Sequence, residues 1–431
     1  MRRVAITGIG VVSALGVGSK VFWEKLLSGE RGIRRIAAFD PSGFPCQLGG
    51  EVPGFKVNDF VPKSYRKATK VMARDIELAV AAADDAFKDA GLASKAYTEQ
   101  PAIVSERFGC NIGAGLISAD LNELTTAMWT ARGDDGRFDL KVWGGHGMNQ
   151  LTPLWLLKYL PNMLACHVTI VHGLKGPSNT ITCADASSHL AIGEAYRTIQ
   201  RGAADLAICG GAECKLVPMG MVRQTLLRRL REDANDRPGE AVRPFDAEAG
   251  GTVLGEGGGL LILEELEQAR ARGAKIYAEV VGFGASQDTY SVSEPDPSGE
   301  SYGRAIRKAL SEAKVAPDDV DVLVPHGLGI PAFDRSELAG LRLAFGEALR
   351  KPHFSPIKAQ IGNTAAGSGV DVAAAVLALH HGRSPGAVNT TRPVDPMLNV
   401  ATGPREVAAK VAVTSVYSLG GQNAALVLRK V

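Results

Sequence analysis

The sequence predicts an α/β protein made of two related halves. Short apolar runs rich in β-branched residues have the pattern of buried strands in α/β sheets, and helical patterns lie between them. Each of these runs is followed by a glycine-rich segment where the predicted strand ends, which we call a glycine-rich exit. A helical pattern around residues 80–90 precedes the strand-like run 108–115, and a second one at 305–313 precedes 320–329 at a similar distance. This repeat predicts an N-terminal half over residues 1–250 and a C-terminal half over residues 251–431.

Length and charge restrict the classes of function. The chain has 431 residues, 45% of them hydrophobic, and carries 48 Lys and Arg against 46 Asp and Glu. A net charge of +2 gives no field that recruits nucleic acid or a membrane surface. The six cysteines lack CxxC or zinc-ligand spacing, and neither a signal peptide nor a spanning apolar run is recognisable. We therefore expect a cytoplasmic protein whose thiols are reduced.

The first predicted element is a strand over residues 4–7, followed by Gly8-Ile9-Gly10-Val11-Val12-Ser13. This run is similar to part of a dinucleotide-binding fingerprint. The third glycine and the acidic residue after a second strand are both missing, however. We interpret the glycines as positions at a crowded strand exit that leave no room for a side chain.

A basic cluster, Lys63, Arg66, Lys67 and Lys70, precedes an Ala-rich amphipathic helix that ends at Gly91. It is a candidate contact for a phosphorylated or acidic partner, and the alternative is a solvated helix face.

Further along, residues 131–150 are rich in Gly and Asp and predict a surface loop. Residues 153–167 are apolar on nearly every side, which predicts a helix buried in the core or pressed against a partner subunit.

Residues 176–189 predict a strand, a sharp turn and a helix, which we call the elbow. A β-branched run stops at small residues, and apolar positions recur at helical spacing from Ser188. Asp185 lies at the turn, where the unpaired N–H groups of a helix N-terminus favour negative charge. The alternative is that Asp185 only caps the helix. Cys183 lies on the strand side, lacks that helix terminus and is expected to pack in the core.

The second half supplies further polar residues at glycine-rich exits. His326 follows one predicted strand, and Lys358 and Asn363 belong to a second exit. If the halves share one topology, these exits meet the elbow on the same side of the sheets. We therefore predict one pocket that contains Asp185, His326, Lys358 and Asn363. Residues 228–240 are charge-dense and predict an exposed loop.

Together these motifs resemble the β-ketoacyl-acyl-carrier-protein synthase family of the fatty-acid synthase II type. The similarity includes VAITGIGVVSALG, the GPS before the elbow, DLAICGGAE, RPFD at 243–246, LGEGGG at 254–259, the HG exit, Lys-x-x-x-Gly and LGGQN. It implies a thiolase-like fold, with two pseudo-equivalent halves forming a five-layered αβαβα sandwich, and a dimer. It also implies an acyl carrier protein as a partner, whose phosphopantetheine arm delivers the acyl group. The chain itself is expected to bind no cofactor. The basic cluster is then the expected dock for that carrier.

The resemblance also shows departures from the pattern of active members, which use a Cys, two His and a Lys. Asp185 stands at the position of the nucleophilic Cys, His326 at the first His and Asn363 at the second. Lys358 stands at the Lys that organises the second His. The positions implied to contact substrate are Leu328 in place of a Thr, Leu419 in place of a gating Phe, Gly420 and Gly421.

These departures leave three hypotheses. Carboxylate attack on a thioester gives a mixed anhydride, which is uphill, so ordinary condensation through Asp185 is not expected. The leading hypothesis is a subunit similar to type II polyketide chain-length factors, in a homodimer or in a heterodimer with an active ketosynthase. The second is an enzyme in which Asp185 and His326 act as a general base for hydrolysis, cyclisation or dehydration, or His326 and Asn363 support decarboxylation. The third is a carrier-binding scaffold without chemistry.

An open pocket with Asp185 and His326 in contact favours the second hypothesis, and a collapsed pocket favours a structural role.

Overall fold

The computed structural model describes residues 1–431, and its centre is an eleven-stranded sheet. The strands are β1 Val4–Ser13, β2 Gly16–Val17, β3 Phe108–Ala114, β4 Ser178–Ile181, β5 Leu206–Cys214, β6 Glu256–Glu265, β7 Ala278–Gln287, β8 Val322–Val324, β9 His353–Phe354, β10 Val411–Tyr417 and β11 Gln422–Arg429. Their order is β9-β8-β10-β11-β7-β1-β6-β5-β3-β4, with β2 paired to β1. Two separate ribbons pair Arg34–Arg35 with Leu48–Gly49 and Arg383–Ser384 with Arg405–Glu406.

The sheet repeats one pattern twice. Numbered within each half, the order is third, second, fourth, fifth, first, both in β4-β3-β5-β6-β1 and in β9-β8-β10-β11-β7. The first two pairings of each half are parallel and the next two are antiparallel. This repeat confirms the predicted pair of related halves. The boundary between the two repeats lies between Glu265 and Ala278, later than the predicted boundary at residue 250. The reason is that β6 pairs with β5 and β1 and so belongs to the first half.

Helices cover both faces of each half-sheet. They are α1 Ser19–Leu27, α2 Arg74–Asp89, α3 Leu121–Thr130, α4 Leu140–Val142, α5 Met163–His172, α6 Ser187–Gln200, α7 Pro218–Leu226, α8 Leu266–Ala271, α9 Glu300–Ala313, α10 Pro331–Phe345, α11 Lys358–Ile361 and α12 Gly369–His381. Apolar side chains form three main clusters, one around α2, a central one around α6 and α12, and one around α9 and α10. Three helical layers thus alternate with two sheet layers. None of the helices combines the length and apolarity that a bilayer crossing requires.

The glycines near the N-terminus lie inside β1, which runs on to Ser13 instead of ending at Thr7 as predicted. A Cβ on Gly8 would lie 2.5 Å from the Ala86 carbonyl oxygen, and one on Gly10 would lie 1.8 Å from that of Ala82. The predicted crowding is therefore real, but it comes from the close approach of α2 to the middle of the strand.

The apolar segment 153–167 is not the single buried helix that its composition predicts. A 3-10 turn covers Trp155–Tyr159, and α5 begins only at Met163. Leu154 adopts φ 65° and Pro161 lacks a backbone N–H, so the two interrupt a continuous helix. Leu154 and Leu156 are both exposed, so this part of the segment faces outward instead of packing in the core.

Asp75, at the start of α2, makes the stability of the fold depend on pH. Burial, followed by the negative charge of Glu213, raises its pKa to about 7. The folded state then binds the proton more tightly than the unfolded state, so the free energy of unfolding should fall as pH rises from about 4 to 7, with a slope of up to about 1.4 kcal/mol per pH unit. Urea denaturation across this range should show that Asp75→Asn loses this component. The exposed control Asp59→Asn should keep it, and equal slopes in all three proteins would contradict the assignment.

Candidate functional site

The elbow has the predicted strand, turn and helix. After β4 a 3-10 turn covers Ala184–Ala186, and α6 begins at Ser187. Ala184 adopts φ 47°, a left-handed conformation that is costly for a residue with a Cβ. The Ser187 hydroxyl supports the turn by accepting the Cys183 N–H at 2.8 Å and donating to the Ala184 carbonyl at 2.6 Å. The side chain of Asp185 is thereby presented next to the start of α6.

The second half contains a twin of this turn. Ala365 adopts φ 48° in the 3-10 turn that precedes α12, as Ala184 does before α6. The two turns bind each other reciprocally. The Ser368 hydroxyl donates to the Asp185 carbonyl at 2.8 Å, and the Ser188 hydroxyl donates to the Ala366 carbonyl. The backbone on both sides of the site is therefore fixed by the opposite half.

Three predicted residues meet at the Asp185 carboxylate. The Asn363 amide donates to Asp185 Oδ1 at 3.0 Å, and His326 Nε2 lies 3.5 Å from the same oxygen. Asn363 Oδ1 accepts the Ala365 N–H at 3.0 Å, which orients the amide with its NH2 toward the carboxylate. The predicted convergence of Asp185, His326 and Asn363 is what the structure shows.

His326 is positioned by Glu337, which the sequence did not single out. The carboxylate of Glu337, on α10, accepts the backbone N–H groups of His326 at 2.8 Å and Gly327 at 2.9 Å. It also accepts the Tyr302 hydroxyl at 2.7 Å. The His326 ring packs edge-on against Tyr417 at 5.2 Å, and both ring nitrogens are buried without a hydrogen bond. An acidic residue on a helix gives no local signal that it faces inward.

Lys358, the fourth residue predicted for this pocket, makes no hydrogen bond or ion pair with Asp185, His326 or Asn363. Its Nζ donates to Asp371, at 2.6 Å for Oδ1, and both side chains are fully buried. The lysine is thus paired with a carboxylate at the start of α12. His189, also buried, places Nε2 3.1 Å from the Thr414 hydroxyl. Burial, followed by electrostatic interactions with His326 and Lys358, lowers its pKa to about 3, so His189 is neutral.

Two basic residues that the sequence did not identify lie close enough to Asp185 to interact with its charge. Lys215 follows β5 and bonds Glu213 at 2.9 Å, and Arg229 lies in the loop after α7. The predicted exposure of residues 228–240 is wrong for Arg229, which is buried. Burial alone would raise the pKa of Asp185, but the His326 contact, the Lys215 charge and the Asn363 hydrogen bond outweigh it and hold that pKa well below its ordinary value. Asp185 is therefore an ionised carboxylate at neutral pH.

The site is closed in this structure. Asp185 is 6% exposed, Asn363 9% and His326 0%. A cavity of about 20 Å³ nearby, room for about one water molecule, is lined by the turn between β10 and β11 and by the loop after β7. Leu419 and Gly421 line it with Tyr417, whereas Asp185 and His326 do not.

Other predicted residues lie outside this group. Leu328 is buried in the core of the second half, and Gly420 forms the β10–β11 turn at φ 83°. Cys183 packs against Ala186, Val416 and Ala424, and burial raises its pKa. The basic cluster is exposed on a separate 3-10 helix, Lys63–Val71.

Comparison with known families matches almost the whole chain. Residues 1–269 match the β-ketoacyl synthase N-terminal domain, and residues 277–391 match the β-ketoacyl synthase C-terminal domain. The chain belongs to the β-ketoacyl synthase family. A curated relative, 3-oxoacyl-[acyl-carrier-protein] synthase 2 of Rhizobium meliloti (strain 1021), is 33% identical over 444 residues, covering 100% of this chain and 99% of the relative.

Solved structures of other β-ketoacyl synthase family members confirm the thiolase-like fold. The ishigamide ketosynthase/chain length factor has a TM-score of 0.85 at 28% identity and covers 100% of this chain and 99% of its own. A type II polyketide ketosynthase, solved in complex with its acyl-carrier protein, has a TM-score of 0.84 at 25% identity with the same coverage. This family member is therefore a ketosynthase-fold protein of fatty-acid or polyketide biosynthesis.

Proposed function

We propose that this protein is a subunit similar to chain-length factors, which pairs with an active ketosynthase and an acyl carrier protein and shapes the product without condensing activity of its own. The observation that carries the proposal is the state of Asp185. At the position that the resemblance assigns to the nucleophilic Cys stands a buried carboxylate, ionised and already bound by Asn363. The closed pocket around it supports a structural role.

The same geometry argues against Asp185 as a catalytic group. A general base works best when its pKa lies near the operating pH, and the pKa of Asp185 is far lower. As a nucleophile it would form a mixed anhydride, and as a neighbour it would repel the carboxylate of a malonyl donor. Its charge is instead balanced by the cations around it, as expected of a fixed element of the interior.

Support for a partner subunit comes from the edge of the sheet. The edge strand β4 is followed directly by the elbow, and its first two residues are exposed. The first half also has exposed apolar side chains, including Trp129, Leu154 and Leu156. Unpaired strand edges and exposed apolar side chains are both features that protein interfaces use. Of the two structural neighbours, one is a ketosynthase/chain length factor and the other is a ketosynthase in complex with its acyl-carrier protein.

The proposal is tested by the protein alone and in complex with a ketosynthase partner. Intact mass of malonyl- and acyl-carrier thioesters should reveal no turnover by the lone protein, whereas the complex should give a changed product length. We expect that change to survive both Asp185→Ala and His326→Ala, because neither side chain acts chemically. Turnover by the lone protein that both substitutions abolish would contradict the proposal.

One observation favours a second candidate, an enzyme of altered chemistry on carrier-bound thioesters. Both ring nitrogens of His326 are buried without a hydrogen bond, and the ring lies 3.5 Å from Asp185. An imidazole is in general a better base near neutral pH than a carboxylate, and the Asp185 carboxylate would stabilise the imidazolium that forms when the ring accepts a proton. This candidate requires hydrolysis, cyclisation or dehydration by the lone protein that disappears in His326→Ala.

Carrier binding is proposed for the basic cluster, which is exposed and free of carboxylate contacts. Reversing the charge of Lys63, Arg66 and Lys67 to Glu should weaken binding of an acidic carrier at least tenfold, because exposed basic side chains steer and hold an acidic partner. Titration calorimetry at low salt measures the effect. Reversal of the exposed control residues Lys308 and Lys314 should leave affinity within twofold. Unchanged affinity in the triple variant would place the dock elsewhere.

A further inference from the structure

A cavity of about 550 Å³ lies in the first half, between the starts of α2, α3 and α7 and the 3-10 turn Trp155–Tyr159. Asp185, His326 and Asn363 do not line it. Its volume falls within the range of small-molecule sites, about 300–1,000 Å³. A ligand of this cavity is therefore a separate small molecule and not an acyl group attached at the elbow.

The lining of the cavity combines an apolar part with charged groups. The apolar part consists of Phe39, Met72, Leu121, Leu216, Val217 and Pro218. The charged groups are Arg74, Asp75, Glu77, Asp120 and Lys158. Because an apolar chain can be buried against the first set, the second set decides which polar group a ligand carries.

Both cations of the lining are neutralised by carboxylates that do not line the cavity. The Arg74 guanidinium donates two hydrogen bonds to Glu256, both at 2.7 Å. Lys158 Nζ bonds Glu123, which also accepts the Tyr159 hydroxyl at 2.7 Å. These pairs leave little positive charge in the cavity to attract an anion.

Asp75 lines the cavity and keeps one carboxyl oxygen without a partner. The residue is 3% exposed. Oδ1 accepts the Cys214 N–H at 3.1 Å, whereas Oδ2 has neither a hydrogen bond nor an ion pair. Lys215, whose charge reaches Asp75, is already paired with Glu213 at 2.9 Å. A buried carboxyl group of this kind retains a proton more readily than an exposed one, and a cationic partner would replace that proton.

Glu77 and Asp120 add negative charge to the same cavity. Glu77 bonds only Arg74, at 3.4 Å, and the Asp120 carboxylate accepts only the Asn122 N–H, at 2.8 Å. Each carboxylate therefore keeps one oxygen unpaired. Since both lining cations are neutralised, the three carboxylates give the cavity a negative potential, which attracts a cation and repels an anion.

We propose that this cavity binds a small molecule that carries a primary ammonium group on an apolar chain. The ammonium donates to Asp75 Oδ2, and the chain packs against the apolar part of the lining. An ammonium has three donors and no acceptor, which matches the unpaired acceptor oxygens of the three carboxylates. A neutral polar group would leave their charge uncompensated, and a carboxylate or phosphate would be repelled. This inference goes beyond the proposed function and does not depend on it.

Calorimetric titration of the purified full-length protein with three probes of equal chain length tests this inference. At about pH 8 octylamine is a cation, octanol is neutral and octanoate is an anion. We expect octylamine to bind at least about tenfold more tightly than octanol, because a hydrogen bond to a charged group is stronger than one between neutral groups. Octanoate should bind more weakly than either.

Two variants locate the site. Asp75→Asn removes the charge at nearly constant volume and should reduce the preference for octylamine to about twofold or less. The exposed control Asp59→Asn should keep the full preference. Ala119→Trp fills the cavity and should weaken binding of octylamine and octanol alike. This variant leaves Asp75 in place, so it tests the cavity even if Asp75→Asn fails to fold.

The inference is overturned if octylamine does not bind, or binds no more tightly than octanol or octanoate. A preference for octylamine that persists in Asp75→Asn would reject Asp75 as its partner. Octylamine binding that is unchanged in Ala119→Trp would reject the cavity. None of these results decides the proposed function, which is tested by product length in the complex with a ketosynthase.

Discussion

Replacing Lys358 with alanine should destabilise the protein by about 3–5 kcal/mol, because the substitution leaves the Asp371 carboxylate charged, buried and unpaired. Both side chains are at most 2% exposed, and Lys358 Nζ contacts both oxygens of Asp371. Chemical denaturation at neutral pH measures the effect. The result would also give this lysine a role that needs no condensing activity, namely to neutralise a carboxylate in the core.

The double variant Lys358→Met with Asp371→Leu is the matched control. Removing both charges together leaves no orphaned ion, so the double variant should recover most of the stability that Lys358→Ala loses. Substitution of an exposed lysine, Lys308→Ala, should change the free energy of unfolding by less than about 0.5 kcal/mol. If Lys358 were catalytic and had no structural role, Lys358→Ala would instead leave the free energy of unfolding unchanged and reduce turnover.

Replacing Glu337 with alanine should cost at least about 3 kcal/mol of stability, because three buried donors lose their acceptor and each orphaned donor costs about 1–3 kcal/mol. Those donors are the backbone N–H groups of His326 and Gly327 and the Tyr302 hydroxyl. The loss should also free the turn that carries His326. Faster amide exchange at residues 326–328 would report this change.

Glu337→Gln separates the loss of acceptors from the loss of volume. The amide keeps one oxygen acceptor but presents an NH2 group to a backbone N–H, so we expect an intermediate loss of stability. Ser336→Ala, at the neighbouring position on α10, removes a single hydroxyl that donates to the Asp296 carbonyl and should have the smallest effect. If all three variants were equally stable, Glu337 would not be the group that positions His326.

The sequence predicted the parts of the site that depend on local pattern. The turn at Asp185 follows from a β-branched run, small residues and a helical period. His326 and Asn363 follow from glycine-rich exits in a duplicated chain. The sequence did not identify Lys215, Arg229 or Glu337 as part of the site, because a charged residue gives no local signal that it will be buried. Their burial depends on partners distant in sequence, such as Asp185 for Lys215 and the turn at His326 for Glu337.

The ion pair of Lys358 was missed for a related reason. Nothing in the motif that contains Lys358 reveals the carboxylate of Asp371, 13 residues further on. The interrupted segment 153–167 shows the converse limit. Its apolar composition suggested a helix, whereas Pro161 and the left-handed Leu154 decided the backbone.

The twin turns at Ala184 and Ala365 suggest how such a site can change its chemistry without losing its shape. Each strained turn is held by a serine hydroxyl from the other half, which donates a hydrogen bond to a backbone carbonyl. This hydrogen bond does not involve the side chain of the residue whose carbonyl accepts it. A substitution of the side chain at position 185 therefore leaves these backbone contacts in place. The equivalent residue of the second turn, Ala366, has only a methyl side chain, and its carbonyl is held by a serine in the same way. The same backbone support thus serves a charged side chain in one half and an inert one in the other.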